Sequence, residues 1–126
     1  MATYDDQNIF ARILRGEIPN DTVTETEHTL VFRDIRPQAP VHVLVIPKGA
    51  YVSFEDFAAN ASEVEIMDFM RTAAKVSHDL GISMDTGKGF RAIANSGEHS
   101  HQEVPHFHLH LLAGRPLGAM LVHPEA

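Results

Sequence analysis

Apolar positions along this chain follow two periods, one near 3.6 residues and one of two. Over residues 8–15, Ile9, Phe10, Ile13 and Leu14 share one side of a helix, with Asp5 or Asp6 available as N-cap and Gly16 as C-cap. Residues 18–21 then read as a turn. β-Branched residues dominate 22–34 and break at Glu27-His28, which predicts a hairpin of strands over 22–26 and 29–33. Residues 36–40 contain Pro37 and Pro40 and form a loop, whereas 41–46 is apolar except for His42 and predicts a central strand ended by Pro47. A short helical turn is expected over 53–57. The strongest helix signal follows it. Ser62 and Glu65 make a capping box, Ile66, Phe69, Met70, Ala73, Val76 and Leu80 recur at spacings of three and four, and Gly81 ends the run. A turn at 85–89, a strand over 90–95, a polar loop over 96–104 and a strand over 105–112 complete the order α-β-β-β-α-β-β. That order implies a single α+β domain over 1–126, with helices packed on a mostly antiparallel sheet.

The last strand carries the chemistry. Alternation places His106, His108 and His110 on one face and Phe107, Leu109 and Leu111 on the other. The apolar set packs under the long helix. Three imidazoles about 7 Å apart do not all charge together, so most are expected to be neutral near pH 7. Neutral imidazole can act as nucleophile, proton donor or acceptor, or metal ligand. Three uses are therefore open. One is a solvated sheet face. A second is a zinc site completed by His42, His99 or His101, for which only Glu98 and Glu103 are local carboxylates able to orient the rings. The third is covalent chemistry at phosphorus, with one ring as nucleophile and a second group fixing its tautomer. The small and donor-rich residues of the 95–103 loop would then face the phosphate oxygens.

Composition narrows the partners. Of 126 residues, 17 are acidic and 10 basic, a formal charge of −7, which argues against gripping a nucleic-acid backbone. There is no cysteine, which removes disulfides, thiolate zinc, iron–sulfur clusters and a cysteine nucleophile. No apolar stretch is long enough to span a bilayer, and the acidic start lacks the apolar core of a signal peptide, so no membrane partner and a cytoplasmic location are expected. Five of the nine histidines fall between 99 and 110, which concentrates attention there.

The run His106-Phe107-His108-Leu109-His110-Leu111-Leu112 resembles the defining motif of the histidine triad superfamily of nucleotide hydrolases and transferases. Residues 34–48 and the opening 8–19 are similar to its Hint branch, and the similarity runs in order over about 5–115, leaving 116–126 as a C-terminal tail. The resemblance implies a five-stranded sheet with one long and one or two short helices. It also implies a homodimer with one continuous sheet across the interface, and a site for a purine nucleoside monophosphate. The implied reaction is hydrolysis of purine nucleoside 5′-phosphoramidates or AMP-amine conjugates of the AMP-lysine kind. It requires no cofactor, with zinc as the minor alternative. By the same resemblance His108 is the nucleophile, His106 and His42 orient it, and His110, Asn95 and Gln102 meet the α-phosphate, with Gln102 a candidate guide for water. Asp34 matches the ribose-binding carboxylate, while Ile9, Phe10, Ile13, Ile18, Phe32, Ile35 and Leu44 match the nucleoside pocket.

Plainer roles compete with several of these. Asp34 before a proline-rich loop is also a turn former, Asn95 is also a strand-end residue, and the apolar pocket residues also suit a core. His28, His78 and His123 stand apart and read as surface. The chain departs from the Hint pattern, commonly Gly-Gln-Ser, at His101-Gln102-Glu103. A carboxylate repels phosphate, so Glu103 is expected to turn outward or to meet a cationic leaving group, and His101 adds bulk near the site. The competing functions are a dinucleoside polyphosphate hydrolase, a nucleotide-binding regulatory module and a metal-binding protein.

Overall fold

The computed structural model describes residues 3–122. Five strands form one antiparallel sheet in the order β1-β2-β3-β5-β4: β1 Thr22–Glu25, β2 Thr29–Arg33, β3 Val41–Pro47, β4 Arg91–Ala94 and β5 Leu109–Ala113. The apolar strand β3 is central, as its sequence predicts. Helices α1 (Ile9–Leu14), α2 (Phe54–Asn60) and α3 (Glu63–Asp79) pack on the sheet, and a single 3-10 turn, Glu98–Ser100, lies between β4 and β5.

Alternation along the strands sends residues to two distinct cores. Val31, Val43, Val45 and Leu111 point toward α2 and α3, where they meet Phe57, Phe69, Val76 and Phe107. The rings of Phe57, Phe69 and Phe107 lie with centroids 5.0–5.2 Å apart and anchor that side. On the opposite face Leu30, Phe32, Leu44 and Ile46 pack against Phe10 of α1. The cross-strand row Phe32, Leu44, His110, Ile93 therefore runs apolar, apolar, imidazole, apolar on one side of the sheet.

Several local expectations shift by physical causes. The N-cap of α1 is Asn8, not Asp5 or Asp6, because its side chain accepts from Ala11 N–H while the aspartates lie a turn earlier. The capping box of Ser62 and Glu65 opens α3, and Gly81, at φ 72°, leaves it in the left-handed region at C′. Met70 is not part of the buried face: Phe69, Thr72 and Val76 are, and Met70, one helical step round from Phe69, is 60% exposed. The turn over 53–57 extends into a full helix to Asn60, with Ser53 as its cap. The strand expected over 105–112 begins only at Leu109, since the last ladder pair is Val45 with Leu109 and Phe107 N–H donates instead to Tyr51 O at 2.8 Å. His106 and His108 thus precede the strand yet keep its alternation.

Candidate active site

Four imidazoles converge on the sheet face opposite α3. His106 is fully buried, His108 and His42 nearly so, and His110 is half-buried. His42 faces Leu112 across the ladder, one step from the Leu44–His110 pair, which lets the two rings meet diagonally with centroids 5.2 Å apart. His108 stands edge-on to both His110 and Phe10, each at a centroid distance of 5.0 Å.

Hydrogen-bond partners assign every tautomer, because a carbonyl only accepts and an amide N–H only donates. His108 Nδ1 lies 2.7 Å from His106 O and must donate, which leaves the lone pair of the neutral ring on Nε2. His106 Nε2 donates to Pro47 O at 2.8 Å. Gln38 N–H donates to His42 Nδ1 at 3.1 Å, so His42 carries its proton on Nε2 and donates it to His110 Nδ1 at 2.9 Å. His110 is then left with Nε2–H. The face accordingly presents one free lone pair, on His108, beside one free donor, on His110.

The rings are uncharged at neutral pH. Burial pushes His106 from 6.5 down to about 4, against the opposing bond to Pro47. Burial, with His108 and His42 beside it, brings His110 to about 4 as well. Burial also lowers His42 and His108, while the Asp34 carboxylate pulls both the other way.

The remaining candidates divide. Asp34 does form a turn, its Oδ1 accepting from Arg36 N–H at 2.8 Å, and its Oδ2 also stands 3.5 Å from His42 Nε2. Phe10, Phe32 and Leu44 are core residues and Ile13 packs against them, whereas Ile18 is half-buried and Ile9 and Ile35 are 43% and 85% exposed. Asn95 follows β4 directly and is half-buried. Gln102 does not have a free amide to offer phosphate. Its Nε2 donates to Val52 O at 2.8 Å and Val104 O at 3.0 Å, and its Oε1 accepts from Gly97 N–H at 2.9 Å, so it holds the loop. Glu103 turns outward and pairs with His101 at 3.2 Å, both side chains being exposed. His101 sits at φ 61°, the left-handed region, which is the physical reason glycine suits that position. His28 is half-buried and His78 exposed, and His123 lies outside the described residues.

The metal alternative meets a different set from the one expected. Among the described residues neither His99 nor His101 joins the group that forms, and its carboxylate is Asp34, while Glu103 reaches His108 only through its charge. Asp34, His42 and His110 bring ligand atoms within 4.8 Å of one another. They do not fit an ion as arranged, since His42 Nε2 carries a hydrogen and its only lone pair, on Nδ1, already accepts from Gln38. A cavity of about 480 Å³ lies elsewhere, between Gly81–Gly89 and Gly114–Pro116 at the other end of β5.

Two contributors were invisible to sequence reasoning: Tyr4, whose hydroxyl lies 2.7 Å from His106 Nδ1, and the Gln38 peptide that orients His42. An isolated tyrosine and a backbone amide leave no periodic signal.

Residues 15–117 match the HIT domain family, and this chain belongs to that family. It is 55% identical over 119 residues to an uncharacterized HIT-like protein of Azospirillum brasilense, covering 94% of this chain and 95% of that one. It is 43% identical over 118 residues to the purine nucleoside phosphoramidase of Escherichia coli, covering 94% and 96%. Among solved structures it resembles a histidine triad protein from Clostridium difficile, with TM-score 0.80, 35% identity and coverage of 93% and 98%. It also resembles a HIT family hydrolase from Legionella pneumophila, with TM-score 0.77, 40% identity and coverage of 87% and 95%. No helix among the described residues is long and apolar enough to cross a membrane.

Proposed function

We propose that this protein hydrolyses purine nucleoside 5′-phosphoramidates and related AMP-amine conjugates to the nucleoside monophosphate through a nucleotidyl-His108 intermediate, without a metal. The observation that carries the reading is the tautomer pattern: His108 holds its proton on Nδ1 against a backbone carbonyl and offers Nε2 as a nucleophile. The likeness to the E. coli purine nucleoside phosphoramidase supports the substrate class.

In the first step the His108 Nε2 lone pair forms a bond to the α-phosphorus. The P–N bond breaks with its electron pair on nitrogen, that nitrogen takes a proton from solvent, and the amine leaves. His110 Nε2–H donates to a non-bridging oxygen as charge gathers there, and loss of one such donor typically slows turnover by ~10²-fold or more. In the second step water adds to the same phosphorus and releases a proton to solvent, the P–Nε2 bond breaks, and the lone pair returns to His108. Asp34 accepts from the ribose hydroxyls, the exposed Ile9 and Ile35 flank the base with Ile18 behind them, and Asn95 faces the phosphate from the end of β4. The active form is a homodimer. Support for that comes from β4, which ends the sheet order and carries unpaired backbone groups, and from Val64, Met67, Met70 and Phe90, all exposed.

The test is His108→Gly. Turnover of adenosine 5′-phosphoramidate should fall by at least ~10³-fold while AMP still binds in calorimetry. Turnover retained in the variant removes His108 from the nucleophile's role.

A further inference from the structure

The segment ahead of α1 supplies a group that no step above uses. Tyr4 lies edge-on to His106, ring centroids 5.7 Å apart, with its hydroxyl 2.7 Å from His106 Nδ1. Because His106 Nε2–H is committed to Pro47 O, Nδ1 bears the lone pair and the tyrosine O–H is the donor. Burial raises the Tyr4 pKa, so the phenol keeps its proton.

Tyr4 is delivered there by a built turn. Asn8 donates to Asp5 O twice, from its backbone N–H at 3.2 Å and from Nδ2 at 2.7 Å. Gln7 N–H donates to Asp5 Oδ1 at 2.9 Å, and Arg15 Nη1 donates to Asp6 O at 2.7 Å, tying the turn back to the end of α1. Asn8 is also the cap of α1, whose Phe10 ring touches His106 and His108.

We propose that Tyr4 is a positioning residue of this active site: its hydroxyl clamps the buried His106 ring, and so fixes the His106 carbonyl that holds the His108 proton on Nδ1. A ring bonded at Nε2 alone can pivot about that bond. Bonded at both nitrogens, it has one orientation, and the peptide that follows it has one as well. Without the hydroxyl, His106 Nδ1 becomes a buried acceptor lacking its donor. The ring then turns to find one, His106 O moves, and His108 populates the Nε2–H tautomer, which has no lone pair to present to phosphorus.

This inference rests on His108 being the nucleophile, and the experiment separates the two. Tyr4→Phe keeps the aromatic contact and removes only the donor. Imidazole ¹⁵N spectra, which need no substrate, should show His108 wholly Nδ1–H in the wild type and mixed in the variant, with the His106 Nδ1 resonance shifted. On adenosine 5′-phosphoramidate, kcat should fall about tenfold, the worth of one net buried hydrogen bond, with KM unchanged within about twofold. An unchanged His108 tautomer overturns the proposal, whether kcat holds, kcat falls by another route or only the melting temperature drops. A wild type that leaves phosphoramidates intact defeats the reaction assignment instead, while the spectra still decide what Tyr4 does.

Discussion

Acid should destabilise this protein through its sequestered imidazoles before its carboxylates take up protons. His106 has no exposed surface, and its folded pKa lies near 4 against an ordinary 6.5. As pH falls through 6.5 the unfolded chain binds a proton at this ring and the folded chain does not. The stability contribution is therefore complete above pH 6.5 and is lost progressively on the way down to about 4. For this ring alone, moving from pH 7.5 to pH 5 removes about 2 kcal/mol, and reaching pH 4 removes about 3 kcal/mol. His110 acts with the same sign, discounted because it is partly open to solvent, and the lowered His42 and His108 add in the same direction. Such a loss is a large share of the roughly 5–15 kcal/mol that holds an ordinary domain. Urea unfolding at the two pH values measures it. At a slope of about 1–3 kcal/mol per molar, the His106 share alone lowers the midpoint by about 1 M. His106→Asn isolates that share, since the variant starts less stable at pH 7.5 but should decline less on acidification, by about 2 kcal/mol. Parallel declines in the two proteins, or an NMR titration placing His106 near 6.5, would refute the reasoning.

The loop before the histidine strand yields two further tests. His101 is the sole non-glycine residue with positive φ among the described residues, so His101→Gly should raise stability by up to ~1 kcal/mol, seen as a melting point a few degrees higher. A lower melting point would mean that the pairing with Glu103 outweighs the strain. Gln102→Ala should cost about 2 kcal/mol and speed hydrogen exchange at Gly97 N–H, because its amide makes three bonds to loop backbone. If activity falls while stability and exchange stay put, Gln102 works on the phosphate and not on the loop.

What could be seen in advance follows the reach of each interaction. The alternation over residues 106–112 predicted which imidazoles share a face, and it holds even where the ladder stops, because an extended backbone alternates with or without a neighbouring strand. The box at Ser62 and the glycine at 81 bounded α3 correctly, since caps are made by residues within one turn of the helix end. The convergence of Asp34 and His42 on His110 was harder to see. It depends on β3 lying beside β5 in one particular register, although the sequence separation of His42 and His110 is 68 residues. The resemblance implies a phosphate contact for Gln102, yet its donors are taken by Val52 O and Val104 O, whose positions only the folded loop defines.

The tautomers lay furthest from view, and they decide the chemistry. A histidine's sequence says nothing about which nitrogen holds the proton. Here that is fixed by two carbonyls, Pro47 O and His106 O, by one amide, Gln38 N–H, and by one phenol, Tyr4. Each is a backbone group or an isolated side chain, and none is a side chain of the motif. Moving the His106 carbonyl would leave the His-x-His-x-His pattern intact while turning the His108 lone pair inward, and moving the Gln38 peptide would do the same to the His110 donor. An intact motif is therefore compatible with a silent site, and activity in a chain of this kind depends on the groups that hold the rings as much as on the rings themselves.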